Sequence, residues 1–198
     1  THGNDSATAI ISGGHTNFVY ISRNQDVLLD NRTPASAEAQ AAHVELTLRK
    51  VFDFATTAPL EEIEFILEAR RLNKNAAERS FQGKYGHELG RMLRNSQTER
   101  NIMGNNTFTH ILSYTSAACD ARMAGAMIPV MSNSGSGNQG IAATLPVVVY
   151  AEDNHNSEEE LTRALILSHL TAIYIKQSLG RLSALCGCVV AATGSSCG

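Results

Sequence analysis

Ser132-Asn133-Ser134-Gly135-Ser136-Gly137-Asn138-Gln139-Gly140 is the stretch on which the fold turns, because Gly135, Gly137 and Gly140 spell the G-x-G-x-x-G fingerprint of a dinucleotide-binding fold. Residues 128–131 pass for the strand that should precede it. The fingerprint also needs a full crossover helix before the next strand and an acidic residue about twenty positions on. Pro146 stands six residues past Gly140, too early for that helix to complete. The dinucleotide reading is therefore rejected. What remains is a polar, glycine-rich turn leading into an apolar segment. Glycines there allow positive φ and close backbone approach, so consecutive N–H groups can face one anion, and a following helix start adds to this. Ser134, Asn138 and Gln139 can add side-chain hydrogen bonds to a carboxylate or an amino group. The plainer alternative is a flexible Gly/Ser loop.

Working outward, the pattern on both sides is helical. Downstream, Ser157 followed by Glu158, Glu159 and Glu160 marks a helix start, and that helix is expected to run to about Ser178. Its Leu161, Leu165, Ile166, Leu170, Ile173 and Tyr174 wrap most of the way round, which predicts near-complete burial. Residues 182–193 read as another helix of small residues. Upstream, residues 107–123 read as a long helix and 83–93 as a weaker one. Pro59 suits the first helical position, with Glu61 and Glu62 in the first turn of a helix through Leu72. Residues 44–56 place apolar side chains at 44, 48, 51, 52 and 55. The opening differs: 7–11 and 18–21 are β-rich runs around a turn, 27–29 suit a third strand, and 31–41 form a polar connector. The fold class expected is α+β, mainly helical, with a small N-terminal antiparallel β unit packed on a helical body. Residues 1–42 are read as the β unit and connector, part of a truncated domain, and 43–198 as a helical domain truncated at its C-terminus.

Composition narrows the function. The chain has 198 residues, of which 43% are apolar, so a real core can be buried. Only 18% are charged and there is no Trp, which suggests surfaces meant to meet other protein and is compatible with a homo-oligomer. A net charge of -3, with no Lys/Arg run longer than Arg70-Arg71, argues against nucleic acid. The opening lacks the basic and apolar segments of a signal peptide, and the longest apolar stretches are too short to span a bilayer. Three of the four cysteines crowd the last thirteen residues, unlike a secreted disulfide framework, so the compartment is read as cytoplasmic. Both ends look cut, one entering an apolar strand at once and the other lacking a polar tail. The chain is expected to be a fragment.

If a helix covers 182–197, Cys186 and Cys188 lie about 200° apart around it, and Cys186 and Cys197 roughly 16 Å apart along it. These three thiols then make no self-contained metal site, although one of them can be a single ligand in a site completed elsewhere. Cys119 reads as packing. His43-Val44-Glu45 lacks the downstream cysteines of a deaminase, and His87-Glu88 lacks the second histidine of a zincin. His169 reads as a satisfied core histidine. His15, at a glycine-rich turn, is read as structural or as support for a site, without a choice between them. Asp120 and Arg122 cannot face each other two residues apart on a helix, and each is expected to pair with a neighbouring helix.

Taken together, Gly13-Gly14-His15-Thr16-Asn17, Asp120-Ala121-Arg122-Met123-Ala124-Gly125, the run from Pro129 to Gly140, Leu167-Ser168-His169-Leu170 with Ala172-Ile173-Tyr174-Ile175, and Leu182-Ser183-Ala184-Leu185-Cys186 resemble the L-cysteine desulfidase family. That family is related to the α chain of iron–sulfur L-serine dehydratase. The resemblance covers nearly the whole chain. It implies a [4Fe–4S] cluster held by three cysteines, with one iron open to substrate, and Cys186 matches the first ligand. The other two ligands belong to a downstream Cys-Asp-Gly-Ala-x-x-x-Cys pattern and the catalytic cysteine to an upstream Gly-Cys-Thr-Glu-Pro pattern, neither of which the chain contains. No catalytic residue is therefore assigned here. Ser134, Gly135, Gly137, Asn138 and Gln139 are assigned to the surroundings of a small L-amino acid. The resemblance implies elimination of sulfide from L-cysteine to give pyruvate and ammonia. The chain alone is expected to be inactive and to hold no cluster, needing segments before and after it as partners. L-serine dehydration and an amino-acid-binding module without chemistry are the rivals. The whole reading requires Cys186 to be reachable beside the glycine–serine bend.

Overall fold

A computed structural model describes residues 2–13, 16–32, 44–94, 104–180 and 186–198. The chain divides into two compact units, with a boundary between Glu45 and Leu46. The first holds strands β1 (Ala7–Ile11), β2 (Phe18–Arg23) and β3 (Asp26–Asp30), paired antiparallel in that order. Ala9 stands opposite Ile21, and Tyr20 opposite Asp30. Asn24 turns the chain between β2 and β3 with φ of +53°, a conformation asparagine tolerates better than most residues. Its side chain also ties down the start of the sheet, accepting from Ser6 N–H at 2.8 Å and donating to Asp5 Oδ1 at 3.0 Å.

The second unit is all helical. Thr47 caps α1 (Leu48–Thr57), its hydroxyl accepting from Lys50 N–H, so this helix starts later than apolar spacing alone suggests. Next come α2 (Leu60–Ile63), a 3-10 turn at Glu64–Ile66, and α3 (Leu67–Gln82). Pro59 is the cap of α2 rather than its first helical residue, and the helical path continues ten residues beyond Leu72. Helix α4 (Leu89–Arg94) is shorter than expected because Gly86 and Glu88 take left-handed backbone. Asn106 caps α5 (Thr107–Met123), whose bounds match the sequence reading. The remaining helices are α6 (Gly137–Asp153), α7 (Glu158–Leu179) and α8 (Gly187–Cys197). The mainly helical α+β class stands, and no helix among the described residues is long and apolar enough to cross a membrane.

Two expectations need correction. Pro146 does not stop the helix after Gly140; α6 runs straight through it. A proline inside a helix costs about 3 kcal/mol in an exposed host, chiefly through its missing N–H and a clash with the preceding turn. Here Ile141, Leu145, Val147, Val148 and Val149 are all buried on the same helix, and that burial outweighs it. The rejection of a dinucleotide fold survives on other grounds, because the described strands are all antiparallel and residues 128–131 are not a strand. Burial of α7 is also less complete than predicted: it is concentrated between Leu161 and Ala172, while Ile173 and Tyr174 are half-buried.

Helix α6 is the spine of the unit. Its Val147 and Val148 join Ala55, Ile63, Ile66, Leu161 and Leu165 in one core cluster. Its Ile141 and Leu145 join Ala76, Ala77, Ala117 and Ala118 in a second. The alanines let α3 and α5 approach closely. Helix α7 opens with a reciprocal cap. Ser157 Oγ accepts from Glu160 N–H at 3.3 Å, and Glu160 Oε2 accepts from Ser157 N–H at 2.7 Å. That backbone hydrogen bond is the main reason the Glu160 carboxyl is held below its usual pKa. Ser157→Ala is expected to lower stability by about 1 kcal/mol, read as a shift of the urea midpoint at unchanged slope. An unmoved midpoint would discount the cap.

Candidate functional site

The glycine-rich stretch folds as a tight turn that launches α6. Asn133 and Ser136 exchange two backbone hydrogen bonds, 3.1 and 3.0 Å, around Ser134 and Gly135, both left-handed with φ of +49° and +81°. Two consecutive positive φ values are what a two-residue turn of this hand requires, which accounts for glycine at 135. Ser136 caps α6 by accepting from Gln139 N–H at 3.3 Å. Close approach explains the other glycines. A Cβ on Gly140 would collide with the Met131 carbonyl oxygen, and one on Gly137 with the Arg122 guanidinium.

The side chains assigned from sequence are divided by this geometry. Asn138 is half-buried, its Oδ1 accepting from Arg122 Nη1 at 3.0 Å. Ser134 Oγ donates to Asn133 Oδ1 at 2.9 Å. Gln139 is 1% exposed and turns inward; its Nε2 donates to the same Asn133 oxygen at 2.7 Å, while its Oε1 has no partner among the described residues. That oxygen lies 2.9 Å from where a Cβ on Gly187 would stand, at the start of α8. The loop assigned to substrate and the residue next to Cys186 are therefore neighbours.

Asn133 is the residue that sequence reasoning missed, although it sits inside the quoted motif. Beyond its two accepted bonds, its Nδ2 donates to His169 Nδ1 at 3.2 Å and to the His169 carbonyl at 3.1 Å. The other ring nitrogen of His169 meets Thr144 Oγ1 at 3.0 Å. Thr144 has one proton, directed to the Gly140 carbonyl at 2.7 Å, and it accepts from Asn73 Nδ2 at 3.0 Å. The bonding pattern thus assigns the proton of His169 to Nε2 and leaves Nδ1 as the acceptor. Burial holds this imidazole neutral, with its pKa pushed down to about 4. Asn73, fully buried on α3, completes the network by accepting from Met131 N–H at 2.9 Å. His169 is a satisfied core residue.

Cys186 is exposed and occupies the cap position of α8, not the interior of a helix. The expected helical separation of Cys186 and Cys188 therefore fails: their sulfurs are 3.4 Å apart. The Cys188 N–H, at the positive end of α8, is the main cause holding the Cys186 thiol below its ordinary pKa, and the Cys188 side chain adds to it. The Cys188 thiol, hydrogen-bonded with the Cys186 sulfur, is raised. Cys119 is half-buried in α5 and burial pushes it up to about 11, as suits a packing residue. Asp120 accepts from His87 N–H at 3.3 Å, so it and Arg122 each turn to a different neighbour. Gly14 and His15, and residues 182–185 of the last quoted motif, lie outside the described residues. A groove of about 750 Å³ opens elsewhere, between Phe108, Pro146, Tyr150, Leu161 and Gly198, and includes none of the loop residues.

The profile of the family described as serine dehydratase alpha chain matches residues 22–198. A UPF0597 protein of Phocaeicola vulgatus is 76% identical over 98% of this chain and 45% of its own length. One from Bacteroides thetaiotaomicron is 70% identical over 100% and 46%, and one from Vibrio parahaemolyticus 49% identical over 99% and 46%. The chain spans about half the length of the curated relatives it matches. No solved structure matches it.

Proposed function

The chain belongs to the serine dehydratase alpha chain family, and on that premise we propose that it forms part of an iron–sulfur lyase removing a β-substituent from a small L-amino acid. The substituent proposed is the sulfide of L-cysteine, with pyruvate and ammonia as the other products. The observation that carries this reading is the convergence of an exposed thiol at the start of α8 with the glycine–serine loop at the start of α6, through Gly187 and Gln139.

The donor set fits one corner of a cluster and no more. Among the described residues no three His, Cys, Asp or Glu side chains gather to hold a metal ion. Cys186 is reachable and of the soft donor type that iron–sulfur clusters take. The remaining ligands, and the base that removes the α-proton, are proposed to lie in the rest of the longer protein. Cys186 would be one ligand of such a cluster, which when bound would supply a Lewis acid for the departing group. Residues of this chain do the holding. Arg122 rests against Gly137, where a cation faces the positive end of α6, an arrangement that favours a carboxylate between them. Ser134, Gly135, Gly137 and Asn138 shape that end of the site. Gln139, buried beneath them, donates to Asn133 and so holds the turn in place. The family's name supports a second reading with the same residues, loss of water from L-serine.

The test is anaerobic reconstitution of the full-length protein with iron and sulfide, followed by assays of sulfide and pyruvate from L-cysteine and of pyruvate from L-serine. Cys186→Ala is expected to lower turnover by more than about 100-fold, beyond what losing an outer-sphere partner of a metal costs. Full activity in that variant sinks the assignment. The 198-residue chain alone should stay colourless after the same treatment. Micromolar binding of L-cysteine by the chain without any added segment would favour a binding module instead.

A further inference from the structure

We propose that Cys186 and Cys188 form a reversible intramolecular disulfide, with a peroxide or a small disulfide as oxidant, making the start of α8 a redox modification site. The pairing itself goes beyond the lyase reading; only its consequence for iron rests on it.

The geometry comes from where α8 begins. Within a continuous helix, residues two apart point about 200° away from each other. Cys186 is outside the helix, with extended backbone at φ of -60° and ψ of 126°, so its side chain is freed from the helical spacing. Cys188 is the second residue of α8, and the two sulfurs come to 3.4 Å. Gly187 between them is helical, which holds the flanking Cα atoms roughly 5.4 Å apart, inside the bridging range of about 4.4–6.8 Å. Both side chains are exposed, so closing to a bond of about 2.05 Å needs only side-chain rotation in solvent. Gly187 is itself required, since a Cβ there would press on Gln139 Oε1. Among the described residues the other thiols do not compete. Cys197 is at the far end of α8, roughly 16 Å along its axis, and Cys119 is half-buried with its thiol pushed up to about 11.

With hydrogen peroxide the step balances as follows. The Cys186 sulfur attacks one peroxide oxygen, the O–O bond breaks, and hydroxide leaves a sulfenic acid behind. The Cys188 sulfur then attacks that sulfur, the S–S bond forms and the S–O bond breaks, releasing a second hydroxide. The two hydroxides take up the two thiol protons as water. Two electrons pass from the sulfurs to the peroxide, and a dithiol reductant returns them. In the bridged form Cys186 has no thiolate for iron, and neither sulfur advances to the irreversible sulfinic state.

The experiment uses the full-length protein, reduced and free of iron, in a Cys197→Ser background, digested so that the peptide weighed ends before position 198 and carries only this pair. Peroxide is added in equimolar amount, thiols are alkylated, and the peptide is weighed. A peptide lighter by about 2 Da that takes up no alkyl group, restored by a dithiol, is the expected result. Adding Cys188→Ser should instead leave a sulfenic acid at Cys186 that a dimedone-type reagent traps. The proposal is overturned if both positions still alkylate after peroxide, if Cys186 is found bridged to a different cysteine, or if the two sulfurs oxidise separately to sulfinic acids. Because the readout is a mass, an inactive lyase would leave the result standing, and an unbridged pair would leave the lyase reading untouched.

Discussion

Gly140→Ala is expected to destabilise the protein by about 3 kcal/mol or more, the upper end of what over-packing a core position costs. The added methyl would collide with the Met131 carbonyl oxygen and come within 2.7 and 2.8 Å of the Ser132 Cα and carbonyl carbon. These are backbone atoms, which cannot rotate away as a side chain does. Relief requires α6 to separate from the 131–136 turn, and that turn positions Asn133, whose amide oxygen holds both Ser134 and Gln139. The Gly140 carbonyl also accepts from Thr144 and Asn73, so the disturbance reaches the buried network. Gly137→Ala is the matched comparison. Its methyl meets the Arg122 side chain, which is exposed and flexible, and alanine is the better helix former by about 1 kcal/mol. Urea denaturation of the two variants should give midpoints far apart. Equal midpoints would mean that the close approach at Gly140 is not present in solution.

Acid should weaken the fold through His169, by about 3 kcal/mol as pH falls from 6.5 to 4. Burial lowers its pKa in the folded state to about 4, against an ordinary value of 6.5. Between those limits the unfolded chain binds a proton that the native chain does not, so stability is full above pH 6.5 and declines toward pH 4. The geometry gives the same sign. Nδ1 accepts from Asn133, and a protonated ring would turn two donors on each other in a buried site. His169→Gln should remove this part of the slope while lowering stability at pH 7. Urea midpoints at half-unit pH steps supply the measurement. A wild-type slope over this interval no steeper than that of the variant would contradict the buried neutral imidazole. Carboxylates such as Asp30, held at about 2 by Arg32, contribute below this window.

Much of the fold was legible because helix ends are local events. Asn106 before Thr107, and Ser157 with Glu160, satisfy the orphan N–H groups of a first turn from within a few residues, and both helices begin where those residues stand. The antiparallel strands follow similarly from short β-rich runs and the turn at Asn24. The site was legible only in part. Ser134, Asn138 and Gln139 share a motif, yet the first two are half-buried and the third is fully buried beside α8. Asn73 and His169 are ninety-six residues apart and carry no mark in sequence of the threonine that joins them.

From its order of residues alone, this chain is committed to a helical body with a β preface and to a polar, glycine-rich turn ahead of an apolar segment. Packing decided the rest. Proline 146 stays inside a helix because neighbouring helices bury the residues on either side of it, an energy no local rule contains. Two thiols meet at the start of α8 because the chain enters that helix at Gly187 and not earlier, and such a shift reverses which side chains face each other. Backbone preferences act over a few neighbours, whereas burial and the choice of hydrogen-bond partner depend on which distant helices come to lie together.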